Sequence, residues 1–250
     1  MHKKQDLVYK KNSKIMSFNV GGSVLTSSML SPDGMIFSKS INTNGLVCHF
    51  DAGNLNSYPG VGTTLTDLSG YGYNGTLSSA VIAYSIVGGT LYFNGSASVS
   101  FSNPLNQSNL VQVWTVATWV SVSNTSDAQY IISGLNNGVA TAWYGGPPLL
   151  YLNGGANDYY TYAADVMPSG WHYIVYRFRN SDGTRTIWKD GVNFTGSGPN
   201  NTSTPSGQSG TFYLGGGLVG NIGVLQIYNR LLSDSEVIQN YYAQKTRFGL

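Results

Sequence analysis

The sequence is poor in cysteine, in glutamate and in charge of either sign. It holds one cysteine, Cys48, and one glutamate, Glu236, among 250 residues, of which 10% are charged. A single cysteine excludes an intrachain disulfide and any cysteine-rich zinc site, so the fold has to be held by packing. Such a shortage of acids also argues against chemistry that needs a pair of carboxyl groups at a fixed separation.

Long apolar runs are missing too. No stretch reaches the roughly 18 apolar residues of a membrane span, and no apolar segment follows the N-terminal lysines as it would in a secretory signal. We therefore expect no membrane partner and no export through a signal peptide. The formal net charge is +2, and residues 1–14 carry five lysines against one aspartate. Because duplex binding needs many phosphate contacts, we expect no duplex nucleic acid partner.

Glycine and aromatic residues are abundant, with 32 glycines and 13% Phe, Trp and Tyr. From Gly45 onward, short apolar runs alternate with Gly, Asn, Asp and Ser, which is typical of antiparallel sheets. Residues 91–101 alternate apolar and serine positions, and this pattern predicts one half-buried strand bent at Gly95. Residues 111–122 carry apolar side chains at both odd and even positions, which predicts a strand covered on both faces.

The C-terminal third adds a meander and one helix. Residues 171–179 and 185–189 are β-rich, and Asp190-Gly191 predicts a tight hairpin turn after them. The sequence SDSE (233–236) is a capping box, and the apolar residues on either side of the cap, Leu232 and Val237, form a hydrophobic staple. This combination predicts a short helix that starts at the capping box.

Several motifs in this order resemble the laminin-G-like jelly rolls of the concanavalin-A-like lectin/glucanase superfamily. They are GLVCHFDAGN (45–54), DLSGYGYNG (67–75), YFNG (92–95), YNRLLSDSE (228–236), NY (240–241) and KTRFG (245–249). The resemblance covers about residues 45–250 and implies an all-β, two-sheet antiparallel jelly-roll sandwich with one short C-terminal helix. Residues 1–44 lie outside the family pattern, and we expect an extended N-terminal arm there.

The closing sequence KTRFG is similar to versions common in structural proteins of tailed bacteriophages and other viruses. The resemblance implies a non-enzymatic virion protein, either a capsid decoration or a tail- or fibre-associated protein. Residues 1–44 would then attach to capsid or tail proteins, although their lysines would equally suit packaged genome. Virion attachments follow particle symmetry, so we expect a homo-oligomer, with a trimer as the working prediction. Met1 and Met16 both remain candidate start sites.

Aromatic residues outside the predicted strands suggest a carbohydrate-binding site. Trp143 and Tyr144 form one group, and Asn157, Asp158 and Tyr159 form a second. Flat rings stack on sugar C–H groups and planar polar groups bind hydroxyls, so we interpret these residues as a site for host surface glycans. Core packing or a protein interface would use the same rings. A free-standing lectin-like module is therefore the alternative to the virion role.

The glycine-rich loop 67–75 is a candidate calcium site. Calcium takes six to eight oxygen ligands, often a carboxylate with carbonyls, and Asp51, Asp67 and Asn74 offer side-chain oxygens. Many relatives carry an acidic residue where this chain has IGV (222–224), which favours the alternative of a purely structural loop. No cofactor is required by either interpretation.

A glycoside hydrolase is the remaining alternative, and the residues argue against it. Glycosidases need two carboxyl groups, and Glu236 is already committed to the capping box. Cys48 and His49 do not form a nucleophile and base, because neighbouring strand residues point to opposite faces. We therefore predict no catalytic residue and a protein without enzymatic activity.

Overall fold

The structure is a computed structural model that describes residues 18–20, 23–25, 40–78, 83–85, 89–107, 112–123, 129–134, 139–143, 148–152, 159–162, 168–196 and 210–250. These ranges contain β-strands, one α-helix and a 3₁₀ turn. No helix within them is long and apolar enough to cross a bilayer. Most of the predicted arm, including Met1 and Met16, lies outside the described residues.

Two large antiparallel sheets build the sandwich, and we name them by what covers them. The helix-side sheet has the order β16-β15-β14-β9-β18-β7-β6, with β3 beside the second half of β18. Its strands are β3 (Leu46–Asp51), β6 (Ala83–Ser85), β7 (Thr90–Asn94), β9 (Val113–Val122), β14 (His172–Arg179), β15 (Thr184–Lys189), β16 (Val192–Asn193) and β18 (Val219–Tyr228).

The opposite sheet has the order β13-β12-β11-β10-β17-β8-β5-β4. Its strands are β4 (Thr64–Leu65), β5 (Gly75–Leu77), β8 (Val99–Ser102), β10 (Gln129–Ser133), β11 (Val139–Trp143), β12 (Pro148–Leu152), β13 (Tyr159–Tyr162) and β17 (Thr211–Leu214). A separate hairpin pairs β1 (Phe18–Val20) with β2 (Ser23–Leu25). The predicted all-β, two-sheet antiparallel sandwich with one short C-terminal helix is confirmed.

The main core lies between the two sheets and is rich in aromatic rings. Phe50 of the helix-side sheet meets Phe101 of the opposite sheet edge to face, with ring centroids 5.2 Å apart. Phe101 in turn contacts Phe212 at 5.8 Å. Edge-to-face pairs at these distances add to the free energy gained by burial alone. These contacts join the two layers into one core.

Strand β9 is covered on both faces, as its sequence predicts. Trp114, Val116 and Val120 point into the core between the sheets. Ala117 and Trp119 point the other way, into a second apolar cluster on the outer face of the helix-side sheet. The predicted meander is also confirmed, since β14, β15 and β16 are consecutive antiparallel neighbours and the turn that joins the last two has positive φ at Asp190 and Gly191.

Residues 91–101 differ from the prediction of a single bent strand. The segment forms two strands in different sheets, β7 in the helix-side sheet and β8 in the opposite one. The chain changes sheets just after Gly95, which has φ +90° and donates its N–H to the carbonyl of Leu218. Each of the two strands turns one face toward the same core. The alternation of apolar residues therefore continues from β7 into β8, and the sequence does not show that the chain has changed sheets.

The C-terminal helix α1 (Asp234–Gln244) lies on the outer face of the helix-side sheet. Ser233 accepts a hydrogen bond from the N–H of Glu236, and the Glu236 carboxylate accepts one from the N–H of Ser233, so the predicted capping box is confirmed. Leu232 and Val237 are both buried against the sheet. A 3₁₀ turn (Lys245–Phe248) follows, and the chain ends it at Gly249 with φ +80°.

Phe248 closes this outer cluster. Its ring stacks on that of Trp119 with centroids 4.2 Å apart and planes 11° apart. The ring also lies on the backbone of Gly223, where the pairing register of β18 shifts, and a Cβ there would come within 2.6 Å of the ring. The absence of a side chain at position 223 therefore makes room for the closing aromatic residue.

Residues just before β3 are tied to the helix. The Asn42 N–H donates to Oδ1 of Asn240 at 2.7 Å, and its side-chain amide donates to Glu236 at 2.8 Å. The Asn42 carbonyl accepts from the Tyr228 hydroxyl, and the carbonyl of Ser40 accepts from Gln239. Residues 40–44 therefore pack on the folded domain, although the boundary predicted from the sequence lies at residue 45.

We predict that Phe248→Ala lowers the free energy of unfolding by about 3 kcal/mol, because it removes a buried aromatic ring and leaves a cavity over Gly223. Chemical denaturation measures this change. Leu250→Ala is the matched control, since Leu250 is 46% exposed and Phe248 9% exposed. Equal stabilities for the two variants would contradict the closing role of Phe248.

Candidate functional site

The predicted glycan residues fall partly outside the described residues. Trp143 is the last residue of β11 and Tyr159 is the first residue of β13. Tyr144, Asn157 and Asp158 belong to connections that the structure does not describe. The prediction that these side chains bind a glycan therefore stays a prediction.

The backbone register places the two described members, Trp143 and Tyr159, on either side of β12. Trp143 pairs with Pro148 at one end of β12, and Tyr159 pairs with Leu152 at its other end. Four residues of an extended strand span about 13 Å. The backbones of Trp143 and Tyr159 therefore flank opposite ends of β12.

A different set of side chains lines up across the outer face of the opposite sheet. Tyr213 is 44% exposed between the buried residues Phe212 and Leu214, as expected for a strand with one face in the core. Its neighbours across the sheet are hydroxyl residues in direct register. We call this set the hydroxyl row, and its members are Thr64, Thr76, Ser100, Tyr213 and Ser133.

The hydroxyl row is long and carries no charge. It crosses five adjacent strands, and four strand spacings amount to about 19 Å. Thr64, Thr76 and Tyr213 are exposed, and Ser100 is half-buried. A second hydroxyl pair, Ser102 and Thr211, lies beside it in register. Hydroxyls donate and accept hydrogen bonds, and the ring of Tyr213 offers an apolar face among them.

Sequence reasoning found one part of this row and missed the rest. The alternation in residues 91–101 places Ser100 on a solvated face, which the structure confirms. Tyr213 sits in a four-residue strand, TFYL, whose pattern is too short to show which face it presents. The row becomes visible only when the register of five strands, from different parts of the chain, is known.

The glycine-rich loop 67–75 is organised by the carboxylate of Asp67, which is 7% exposed. Its Oδ1 accepts hydrogen bonds from the N–H groups of His49 at 2.8 Å and Ser69 at 2.9 Å. Its Oδ2 accepts from the Ser69 hydroxyl at 2.7 Å and the Tyr73 N–H at 3.1 Å. One buried carboxylate thus holds both ends of the loop and fastens it to β3.

The other two candidate calcium ligands are engaged as well. Asn74 Oδ1 accepts from the N–H of Asp67 at 2.9 Å. Asp51 accepts from the N–H of Gly53 and forms an ion pair with Arg247. Arg247 belongs to the 3₁₀ turn and the residues after it (245–250), which we call the closing segment. Because the Asp67 carboxylate accepts four hydrogen bonds from the protein, we interpret the loop as structural, the alternative to a calcium site. Within the described ranges, no group of three or more His, Cys, Asp or Glu side chains could hold a metal ion.

Carboxylates elsewhere contact basic side chains. Glu236 forms two hydrogen bonds with Arg230 at 2.8 Å each, and this pairing lowers the Glu236 pKa to about 2. A general acid needs the opposite shift. The remaining carboxylates in the described ranges contact basic side chains: Asp182 contacts Arg179, Asp190 contacts His172, and Asp234 contacts Arg177.

Cys48 and His49 lie on opposite faces of β3, as predicted. Cys48 is buried between the sheets, and burial raises the pKa of its thiol well above the usual value. Burial lowers the pKa of His49, and its nearest acids, Asp51 and Asp67, oppose that shift in part. A neutral thiol and a neutral imidazole on different faces provide no nucleophile and base pair.

The architecture is a two-sheet β-sandwich with a row of hydroxyl side chains on the outer face of one sheet. A family profile, Laminin_G_3, described as concanavalin A-like lectin/glucanases superfamily, matches residues 93–238. This match spans more than half of the sequence, so the chain belongs to that family. No curated protein sequence matches the chain significantly.

Solved structures support the same fold. The binding domain of botulinum neurotoxin DC, in complex with SialylT, has a TM-score of 0.62 and 12% identity over 80% of this chain and 51% of its own. The serotype D ligand binding domain, in complex with N-acetylneuraminic acid, has a TM-score of 0.62 and 12% identity over 81% and 52%. This chain therefore spans about half the length of those binding domains.

A third similar structure is matched over nearly its whole length. It is domain 4 of AbnA, a GH43 extracellular arabinanase from Geobacillus stearothermophilus, in complex with arabinotriose. Its TM-score is 0.54, with 20% identity over 78% of this chain and 98% of the domain. At these identities the likeness of all three structures establishes a shared fold.

We predict that calcium does not stabilise this protein, because protein donors occupy the oxygens of Asp67 and Asn74. The thermal midpoint should be the same in EDTA and in excess calcium, whereas a bound ion at about 100 times its Kd would add about 2.7 kcal/mol. Asp67→Asn should cost about 1–3 kcal/mol in either buffer, because the new amide nitrogen cannot accept the bonds made to Oδ2.

Asp182→Asn serves as the control for that substitution, since its carboxylate lies on an exposed turn and solvent screens its ion pair. A thermal midpoint that rises with calcium in the unaltered protein, and no longer rises in Asp67→Asn, would contradict the structural interpretation of the loop.

Proposed function

We propose that this domain is a carbohydrate-binding module whose ligand contacts the hydroxyl row. The observation that carries the proposal is the exposed Tyr213 ring in a line of hydroxyl side chains on the outer face of the opposite sheet. Sugar-binding sites combine one apolar ring face with a few placed polar groups. The row has both components, and rigid strands hold them in register.

Structures of other proteins with a similar fold also support this proposal. Two of the botulinum neurotoxin domains are in complex with SialylT and with N-acetylneuraminic acid, and AbnA domain 4 is in complex with arabinotriose. These ligands are all sugars, so the shared fold is one that binds sugars in other proteins. A binding role agrees with the family to which this chain belongs.

The proposal is for binding without catalysis. Described carboxylates are committed to ion pairs or to loop hydrogen bonds, and none lies in the hydroxyl row. The pKa of Glu236 is lowered, which is unsuitable for an acid catalyst. A hydrolase would need two carboxyl groups facing one groove, and the hydroxyl row provides none.

A virion role is the second candidate function. It rests on the resemblance of KTRFG (245–249) to viral structural proteins and on the lysines of residues 1–14. The geometry adds one supporting observation: residues 40–44 are bonded to α1 on the outer face of the helix-side sheet, whereas the hydroxyl row is on the outer face of the opposite sheet. An arm that leaves there would attach the domain to capsid or tail proteins, in a homo-oligomer such as a trimer, with the row pointing away.

We predict that Tyr213→Ala abolishes glycan binding without altering the fold, because it removes the exposed ring and leaves the core intact. Binding to a glycan array and the thermal midpoint are measured together. Tyr71→Ala is the matched control, since Tyr71 is a 66% exposed tyrosine in loop 67–75 and outside the row. Glycan binding that survives Tyr213→Ala would remove the row as the site.

For the virion role, we predict that deletion of residues 1–39 abolishes cosedimentation with virus particles while the domain stays folded. Deletion of residues 1–44 should also destabilise the domain, because it removes the bonds from Asn42 to Asn240 and Glu236. The shorter deletion therefore separates attachment from stability. Cosedimentation that persists without residues 1–39 would contradict attachment through the arm.

A further inference from the structure

We propose that the ligand of the hydroxyl row is an uncharged oligosaccharide that lies across the strands, with one sugar ring stacked on Tyr213. This inference rests on the proposed function and adds the chemical class and the direction of the ligand. Two independent observations carry it: the distribution of charge between the sheets and the direction in which the row runs.

Within the part of the chain that the structure describes, the basic side chains all lie on one side of the sandwich. Every lysine and arginine in the described ranges belongs to the helix-side sheet, to its hairpin or to the segment after β18. They are Arg177, Arg179, Arg185, Lys189, Arg230, Lys245 and Arg247. The described strands of the opposite sheet contain no charged residue, and the acid of its β4–β5 connection, Asp67, is buried in its loop.

This distribution disfavours an acidic sugar. A carboxylate that is taken out of water on binding needs a cation or several donors to replace its hydration. Arginine is the residue that provides such pairing at recognition sites, and the row has none. Neutral sugar hydroxyls, in contrast, exchange hydrogen bonds with water for bonds with Ser, Thr and Tyr at little net cost. The uncharged row therefore matches an uncharged ligand.

The direction of the row indicates an extended ligand. Thr64, Thr76, Ser100, Tyr213 and Ser133 are register partners, so the row runs perpendicular to the strands. It offers a polar side chain at every strand spacing of about 4.8 Å, over about 19 Å in total. A single sugar would cover only the part around Tyr213. An oligosaccharide laid along the row would meet hydroxyl side chains on both sides of the ring.

The experiment uses the full chain on an array that carries neutral oligosaccharides, including arabinotriose and lactose, and sialylated ones, including sialyllactose. Calorimetry then follows with the best neutral trisaccharide and its monosaccharide, at low and at high salt. We expect neutral oligosaccharides to bind, no gain from sialylation, and an affinity that salt does not change, because no ion pair forms. The trisaccharide should bind at least about tenfold more tightly than the monosaccharide.

Substitutions test the row itself. Thr76→Ala with Ser100→Ala should weaken trisaccharide binding by about tenfold and monosaccharide binding by less, because both positions lie to one side of Tyr213. Thr246→Ala is the matched control, as an exposed threonine in the closing segment. Monosaccharide binding as tight as trisaccharide binding would overturn the extended ligand.

The outcomes separate this inference from the proposed function. Binding of sialylated glycans alone that is lost in Tyr213→Ala would keep the binding face and overturn the uncharged ligand. Binding of neutral glycans that survives Tyr213→Ala would overturn both, since the ligand would then contact another surface. The absence of binding to every glycan on the array would also overturn both.

Discussion

The stacking of Phe248 on Trp119 decides which face of the molecule is covered and which is open. The outer face of the helix-side sheet carries apolar side chains that water would otherwise contact. Helix α1 and the 3₁₀ turn cover them, and Phe248 reaches its position only because Gly223 has no side chain. The closing segment is therefore as much a part of the sandwich as any strand.

The ion pairs lie on the covered side of the molecule. The closing segment and the strands beneath it hold the ion pairs that fasten distant parts of the chain, such as Asp51 with Arg247 and Arg230 with Glu236. In these pairs, carboxylates and basic side chains on the side of the helix-side sheet neutralise one another. The described strands of the opposite sheet contain no charged residue. Their exposed hydroxyl side chains form the row that we propose as the ligand-binding surface.

Local patterns in the sequence predicted local structure well. The capping box at Ser233, the turn at Asp190 and the two apolar faces of β9 each depend on neighbours within a few residues, and each is confirmed. The family motifs supplied the fold class. The change of sheet after Gly95 was not predicted. Two strands that face one core show the same alternation of apolar and polar residues whether they belong to one sheet or to two.

Long-range pairing explains what sequence reasoning missed at the site. Asp51 and Arg247 are 196 positions apart, and no periodicity links them. The hydroxyl row needs the register of five strands, and Trp143 and Tyr159, which are close in sequence, lie at opposite ends of β12. Composition thus predicted a surface suited to sugars, whereas the hydroxyl row that we propose as the site depends on the topology.

An NMR titration of the labelled protein with arabinotriose or another neutral oligosaccharide tests the central claim. The claim is that α1 and the closing segment cover the outer face of the helix-side sheet, and that the outer face of the opposite sheet binds the sugar. The account predicts that backbone amide shifts concentrate on β5, β8, β17 and β10, around Tyr213. Shifts confined to α1, to residues 40–44 or to the closing segment would contradict it.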